Sequence, residues 1–475
     1  MTSAPTHCTR LAVLITGAAC LLSMCLSACA VGPKYKSPAV DVPPTYRGLT
    51  PEQATRSDAS SIGDEKWWSL FQDKVLQDLI RTALANNYDL RIAASRVLQA
   101  QARLGVTRAD QFPSISAGGN ITSEASPTIG PVPSYQVTLG QVSASASWIP
   151  DFWGRYRRAT EAARAQLLSS DWARQAVAST LVANVANSYF QISALDLQLE
   201  VSQRALASRK ESLQLTHTLE EHGFDTLLDV RQAEQLVYVA AAQVPDLERQ
   251  IEQQENTLSV LLGNNPGAIP RGLKLTEQPH PPEVPAGLPS ALLARRPDIR
   301  EAEENLIAAN AQIGVAKAAY FPQISLTGTA GYESTALTGL FTGPAQAWTF
   351  GGTLTEPIFQ GGRLKANVRL AEAQHQESLL TYQQTIQTAF RDVSSALIAY
   401  RKNREFRVQE ENLTQSAQDA ARLSGIRFKA GTTDYLEVLI NETNYFSDQL
   451  TLAQAQLNEL QSLVQLYQAL GGGWQ

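Results

Sequence analysis

The side chains of this chain that could do chemistry are few and badly placed for catalysis. Five histidines stand at 7, 217, 222, 280 and 375, with none of the H-E-x-x-H spacing that puts two ring nitrogens and a base on one helical face. His217 and His222 lie five residues apart, a separation that does not bring them together on a helix. The four cysteines, Cys8, Cys20, Cys25 and Cys29, all fall in the first 29 residues, so no disulfide framework is available to the rest. There is no phosphate-binding glycine loop of the P-loop type. The chain reads as a non-enzyme with no cofactor and no metal. What remains are carboxylates gathered at two points, Glu220, Glu221, Asp225 and Asp229 at one and Asp434 and Glu437 at the other.

One cysteine has a context of its own. Arg10 precedes the apolar run "LAVLITGAACLLSMCLSA", which reads as an export signal over residues 1–28. The following "LSAC" resembles a bacterial lipobox, so Cys29 is expected to become the acylated first residue of the mature chain, its acyl chains adding ~0.8 kcal/mol per buried CH₂. Ala30 stands where an inner-membrane retention signal carries Asp, so the resemblance to sorted lipoproteins points to the outer membrane. The formal charge of −6 gives no basic patch, and therefore no electrostatic case for nucleic acid. Nothing after residue 30 approaches the ~20 apolar residues of a membrane-spanning helix.

The carboxylates need elements to hold them, and those elements occur twice. "FPSIS" at 112–116 returns as "FPQIS" at 321–325, 209 residues further on, too long a period for a solenoid or propeller. The flanks repeat as well, with Asp89, Arg91 and Gly105 laid on Asp298, Arg300 and Gly314, and Gly223 on Gly431. A tandem duplication follows: a lipid-anchored extended arm over 29–66, a first repeat at 67–267, a linker at 268–290 and a second repeat at 291–475.

In each repeat a helix, near 83–108 or 291–318, is stopped by the proline of the repeated corner. The apolar period then changes from helical to alternating. Ile324, Leu326, Ala330 and Tyr332 alternate with Ser325, Thr327 and Thr329, and Trp348, Phe350 and Leu354 with Thr349, Thr353 and Thr355. Strands are expected near 113–124, 135–149, 322–333 and 347–357, each about the length of a membrane β-strand with one lipid face and one wet face. On alternation alone a soluble sandwich fits equally; the export signal favours the membrane. Four strands cannot enclose a pore, so several chains must pool theirs.

Helical hairpins follow at 155–262 and 363–470. Their first arms lack Gly and Pro from Arg155 to His222 and from Arg363 to Ser424, and at 1.5 Å per residue such a run spans roughly 100 Å. Their return arms are expected at 224–262, kinked at Pro245, and 432–470. Gly223 and Gly431 punctuate the tips, and Thr226 with Asp229, and Asp434 with Glu437, read as N-cap pairs.

The phrases "CAVGPKYKSP", "WWSLFQDKVLQDLIRTALANN", "ARRPDIREAEENLIAANAQIGVAKAAYFPQISL", "PIFQGGR" and "YQALGGGW" resemble the TolC-like outer-membrane efflux proteins, in their OprM-like lipoprotein branch, across essentially the whole mature chain. The resemblance implies an α+β membrane protein, a homotrimer whose twelve pooled strands form one outer-membrane β-barrel continued by a long α-helical barrel in the periplasm. It implies a periplasmic adaptor and a proton-driven inner-membrane pump as partners, outer-membrane lipids as surroundings, and passive conduction of drugs or other small molecules. Export of proteins by a type I system is the alternative on the same fold. A lipid-anchored adaptor is a weaker one, since an adaptor carries one hairpin rather than two.

The resemblance also implies a constriction at the periplasmic end. The family's tip pattern puts Tyr435 and Leu436 at matching positions, while Ile440 occupies the position of the family's Asp. Leu436, Asp434, Glu437 and Asp229 are therefore the gate candidates, and Gly223 and Gly431 the candidates for turn residues at an adaptor-docking tip.

Overall fold

The computed structural model describes residues 30–49, 61–128, 130–131, 133–279 and 284–474. The expected export signal, Cys29 and His280 lie outside them. Of the described residues, 30–39, 97–169 and 302–382 make one compact unit, and 40–96, 170–301 and 383–474 make another. Each unit draws on both sequence repeats, because the long helices carry the chain from one unit into the other.

Among the described residues the first α-helices are α1 at Trp67–Leu70 and α2 at Lys74–Asn86, followed by α3 at Tyr88–Ala109. One helix was expected near 83–108, and the break at Asn87 is a correction with a local cause. Asn87 leaves helical geometry, with ψ of 131°, and its Oδ1 accepts the N–H of Leu90 at 3.1 Å, capping α3 and ending α2. The second repeat breaks at the same place by other means. Helix α6 (Pro289–Arg295) stops because Arg296, preceding Pro297, is held extended, and Pro297 opens α7 (Pro297–Ala318), where a missing N–H costs nothing.

The first unit contains the sheet. Strands β1 (Ser114–Ser126), β2 (Tyr135–Trp148), β3 (Gln323–Ser334) and β4 (Gln346–Thr355) form a four-stranded antiparallel sheet in the order β1-β2-β3-β4. The central pair, β2 with β3, joins one repeat to the other, Ala146 opposite Gly328 and Trp148 opposite Leu326. Register gives one face Ile115, Ala117 and Ile121, then Val142, Ala144 and Ala146, then Leu326, Ala330 and Tyr332, then Trp348, Phe350 and Leu354. The other face carries hydroxyls, with Ser116 Oγ and Ser145 Oγ 2.8 Å apart. The apolar face is unusually open: Ile115, Ile121, Trp348, Phe350 and Leu354 are all exposed.

The two repeated corners are built differently. At Phe321-Pro322 the indole of Trp153 stacks on the Phe321 ring, with centroids 4.8 Å apart, and its Nε1 donates to the Pro322 carbonyl at 2.7 Å. At Phe112-Pro113 no ring among the described residues stacks on Phe112, which is 60% exposed.

Long helices leave the sheet. Helix α4 runs Arg155–Glu221, α5 Leu227–Leu261, α8 Arg363–Lys429 and α9 Tyr435–Ala469. Helix α5 continues through Pro245. In the first unit α4 packs on α7 through Ala162, Ala165, Ala308 and Ala311, small residues that let the two backbones approach. In the second unit, Tyr189, Ile192, Leu247, Leu258, Ile386 and Leu457 are almost fully buried and supply the apolar stripes that such long helices need from their neighbours. No helix among the described residues is long and apolar enough to cross a membrane.

Candidate gate and docking tips

Both hairpin tips lie in the second unit and share one backbone design. At the first, Gly223 N–H donates to Glu220 O at 2.9 Å and Phe224 N–H to Leu219 O at 2.8 Å. At the second, Gly431 N–H donates to Phe428 O at 2.9 Å and Thr432 N–H to Arg427 O at 3.0 Å. This is the paired bonding of a Schellman end, which requires a left-handed residue, and the glycines supply it with φ of +76° and +69°. A Cβ on either would meet nothing within 4 Å. The glycines are therefore required by backbone conformation and not by crowding.

Beyond the turn the tips diverge. Thr226 and Asp229 form a capping box: the Thr226 side chain accepts the Asp229 N–H at 3.3 Å, and Asp229 Oδ2 accepts the Thr226 N–H at 2.9 Å. The corresponding pairing of Asp434 with Glu437 does not form, which corrects the sequence expectation. Asp434 makes no capping bond. The Glu437 carboxylate is occupied elsewhere, accepting from Arg427 Nη1 at 2.9 Å and from the Thr433 hydroxyl. A basic residue at the end of α8 competes successfully for the acid that would have capped α9. That leaves Asp434 exposed beside Leu436 and Ile440, which are also exposed, at 49% and 52%.

Tyr435, by contrast, is buried. It packs with Val438, Leu439 and Phe428 of the second hairpin against Leu213, Ala233 and Leu236 of the first. Burial pushes its phenol pKa up despite the Thr216 and Ser212 hydroxyls close to it. Tyr435 thus holds the tips together, while Leu436, one residue on, points away from the core.

Two turns higher sits a residue that sequence reading missed. Arg209 is 3% exposed, donates from Nη1 to the Leu236 carbonyl at 2.9 Å and lies over the Phe446 ring at 4.7 Å, so it touches α4, α5 and α9 together. Burial lowers its pKa, with Glu442 opposing the shift; the Glu442 carboxyl is itself pushed up by burial and pulled back by Arg209. Nothing in the local sequence marks Arg209, because its surroundings come from three helices. At the first tip, the Asp225 carboxyl pKa is raised by burial and by neighbouring Asp229, and its Oδ2 has no hydrogen-bond partner among the described residues.

Among the described residues no cluster of His, Cys, Asp or Glu could hold a metal ion. An open antiparallel sheet with an exposed apolar face, together with two helical hairpins closed by matching glycine turns, defines the class of outer-membrane channel proteins. Residues 79–264 and 288–472 match the model of the outer membrane efflux protein family, and the chain belongs to that family. It is similar to the antibiotic efflux pump outer membrane protein ArpC of Pseudomonas putida, 38% identical over 457 residues that cover 94% of this chain and 93% of the relative. Among solved structures it is similar to a membrane protein from Pseudomonas aeruginosa, with a TM-score of 0.87 and 33% identity over 93% of this chain and 100% of that one. It also resembles the open state of the Neisseria gonorrhoeae MtrE outer membrane channel, with a TM-score of 0.86 and 33% identity over 94% of this chain and 99% of that one.

Proposed function

We propose that three copies of this chain pool their strands into a twelve-stranded outer-membrane barrel, continued by a helical barrel, and that this duct passively carries drugs or other small molecules out of the cell. The observation that carries the reading is the four-stranded sheet. It has one continuous apolar face, and its outer strands β1 and β4 have no partner among the described residues, a condition that closure with other copies relieves. The chain delivers its cargo in concert with a periplasmic adaptor and a proton-driven inner-membrane pump. The name of the antibiotic efflux relative favours small-molecule efflux over protein secretion.

The domain plan is that of the sequence: signal 1–28, arm 29–66, repeats 67–267 and 291–475, linker 268–290. Acylation of Cys29 fits the way the arm begins. Ala30 lies against Gly154, whose Cβ would come 2.7 Å from the Ala30 Cα, and Val31 N–H donates to Trp153 O at 3.0 Å. Arg158 holds the carbonyls of Val31 and Gly32, each at 3.3 Å. The arm therefore starts at the foot of the sheet, the level at which a lipid on Cys29 would enter the same membrane as the strands.

Leu436 is the residue of the constriction, with Asp434 as the adjoining charge. Asp229 and Glu437 serve as cap and brace, and the turns at Gly223 and Gly431 present the docking tips to the adaptor. Electron microscopy of the detergent-extracted protein tests the whole. A hollow threefold particle with a short barrel and a helical extension of roughly 100 Å is expected. A solid particle without rotational symmetry overturns the reading.

A further inference from the structure

The internal duplication fixes more than the number of strands. The two hairpins of the sheet correspond end to end: Ser114 stands in the first repeated corner where Gln323 stands in the second, and each begins its ladder, paired with Ser147 and with Thr355. Any contact that the first repeat makes with the second inside one chain therefore has a counterpart, in which the second repeat meets the first of another copy. Among the described residues that counterpart is absent, because β4 and β1 are the two free edges.

Three levels of the first unit carry the same asymmetry. In the sheet, β2 is paired with β3 while β4 and β1 stand open. At the corners, Phe321 is stacked under Trp153, which follows β2, whereas Phe112 is 60% exposed and the segment following β4 exposes Ile358 and Phe359 at 89% and 88%. In the helices, Ala162 is buried with Ile307 packed against its cluster, whereas their counterparts Leu370 and Leu98 are 57% and 66% exposed. Large apolar side chains are left in water wherever the repeated contact is missing.

We infer that β4 of one copy pairs antiparallel with β1 of the next in one defined register, with Leu354 opposite Gly119, Thr353 opposite Asn120, Gly352 opposite Ile121 and Phe350 opposite Ser123. This register transfers the observed pairs Ala146 with Gly328, Ser145 with Thr329, Ala144 with Ala330 and Val142 with Tyr332 through the correspondence of the hairpins. It meets a condition that was not used to derive it. Trp348, Phe350 and Leu354 fall on the same face as Ile115, Ala117 and Ile121, so the apolar face continues across the seam, and Thr353 joins Asn120 on the polar one. A slip by one residue would place the three large side chains of β4 on the hydroxyl face of its neighbour. The helices follow from the same step: Leu98 of one copy meets Leu370 of the next.

The inference rests on the proposed trimer, and the test separates the two. Directly opposed residues have Cβ atoms about 4.5–5.5 Å apart and diagonal ones about 7–8 Å, so oxidation distinguishes them. Full-length protein in native outer membranes carries the in-register pair Asn120→Cys with Thr353→Cys, or the adjacent pair Ile121→Cys with Gly352→Cys, which together sample both kinds of antiparallel site. A third protein carries Asn120→Cys with Gly351→Cys, two residues out of register. After copper-phenanthroline oxidation, at least one in-register pair is expected to give reducible dimers and trimers on denaturing gels, several-fold more than the displaced pair. Stronger linking by the displaced pair overturns the register. An amine-reactive cross-linker is applied in parallel: trimers with it but no disulfide at either in-register pair overturns the register alone, and monomers with both reagents overturn the trimer and the seam together.

Discussion

Arg427 and Glu437 brace the second hairpin tip across its turn, guanidinium Nη1 to carboxylate Oε1 at 2.9 Å, joining the last turn of α8 to the first turn of α9. The side chains are 55% and 37% exposed, so water and salt screen the pair. Its effect on stability is limited to about 1 kcal/mol or less. Glu437→Gln is expected to leave the thermal stability of the purified protein nearly unchanged while raising protease cleavage at the tip, and raising the salt concentration is expected to reduce the difference from the parent. A large fall in stability would show that the brace is structural to the whole unit.

Leu436 lies beside this brace and outside the core. Leu436→Ser should therefore cost less than about 0.5 kcal/mol of stability, as exposed substitutions do, while loosening the proposed constriction. Higher single-channel conductance in planar bilayers is the expected result; an unchanged current removes Leu436 from the gate.

Gly223 and Gly431 offer a cleaner backbone test, since a Cβ at either position meets nothing within 4 Å. Substitution by Ala should cost about 1 kcal/mol through the left-handed conformation alone. Asn, which tolerates that conformation, should recover much of the loss. Amide hydrogen exchange at the tips, faster in the Ala variants and restored in the Asn variants, is the measurement. Equal effects of Ala and Asn would point to a steric role instead.

Asp73 should make the second unit sensitive to acid. Burial works to raise its pKa, but the Tyr189 hydroxyl at 2.7 Å, the Leu273 N–H at 2.9 Å, the Gln278 amide at 3.1 Å and the Val75 N–H at 2.9 Å outweigh burial and hold the carboxyl below its ordinary 3.8. A depressed carboxyl contributes stability that is present above 3.8 and is lost as pH falls through the folded value. Asp73→Asn should destabilise by about 2 kcal/mol at neutral pH, and the gap to the parent should narrow on acidification below pH ~3.8. Thermal unfolding followed by circular dichroism at both pH values tests it, and a gap independent of pH refutes it.

Cys29→Ser should yield a mature chain without acyl groups, seen by mass spectrometry of the N-terminal peptide. A diacyl or triacyl mass on the variant would end the assignment of Cys29. With the arm still held by Arg158 and Gly154, the variant is expected to fold.

Much of this protein was legible from its sequence because its signals are local. Proline after phenylalanine stops a helix wherever it occurs, glycine marks a left-handed turn, and alternation of Trp348, Phe350 and Leu354 with threonines sets the strand faces before any partner is known. The resemblance that suggested the family rests on phrases of the same local kind. The missed features depend on competition between residues distant in the chain or buried together. Asp434 and Glu437 had the spacing of a capping pair, yet Arg427 across the turn took the glutamate, and a cap pattern says nothing about rivals for its carboxylate. Arg209 is buried where α4, α5 and α9 meet, and a lone arginine in a polar helical run carries no mark of that. The pairing of β2 with β3 lies in the same class. Strand patterns determine which face a side chain takes, but only the folded sheet decides which strands lie next to each other, because register is set by the backbone ladder between them.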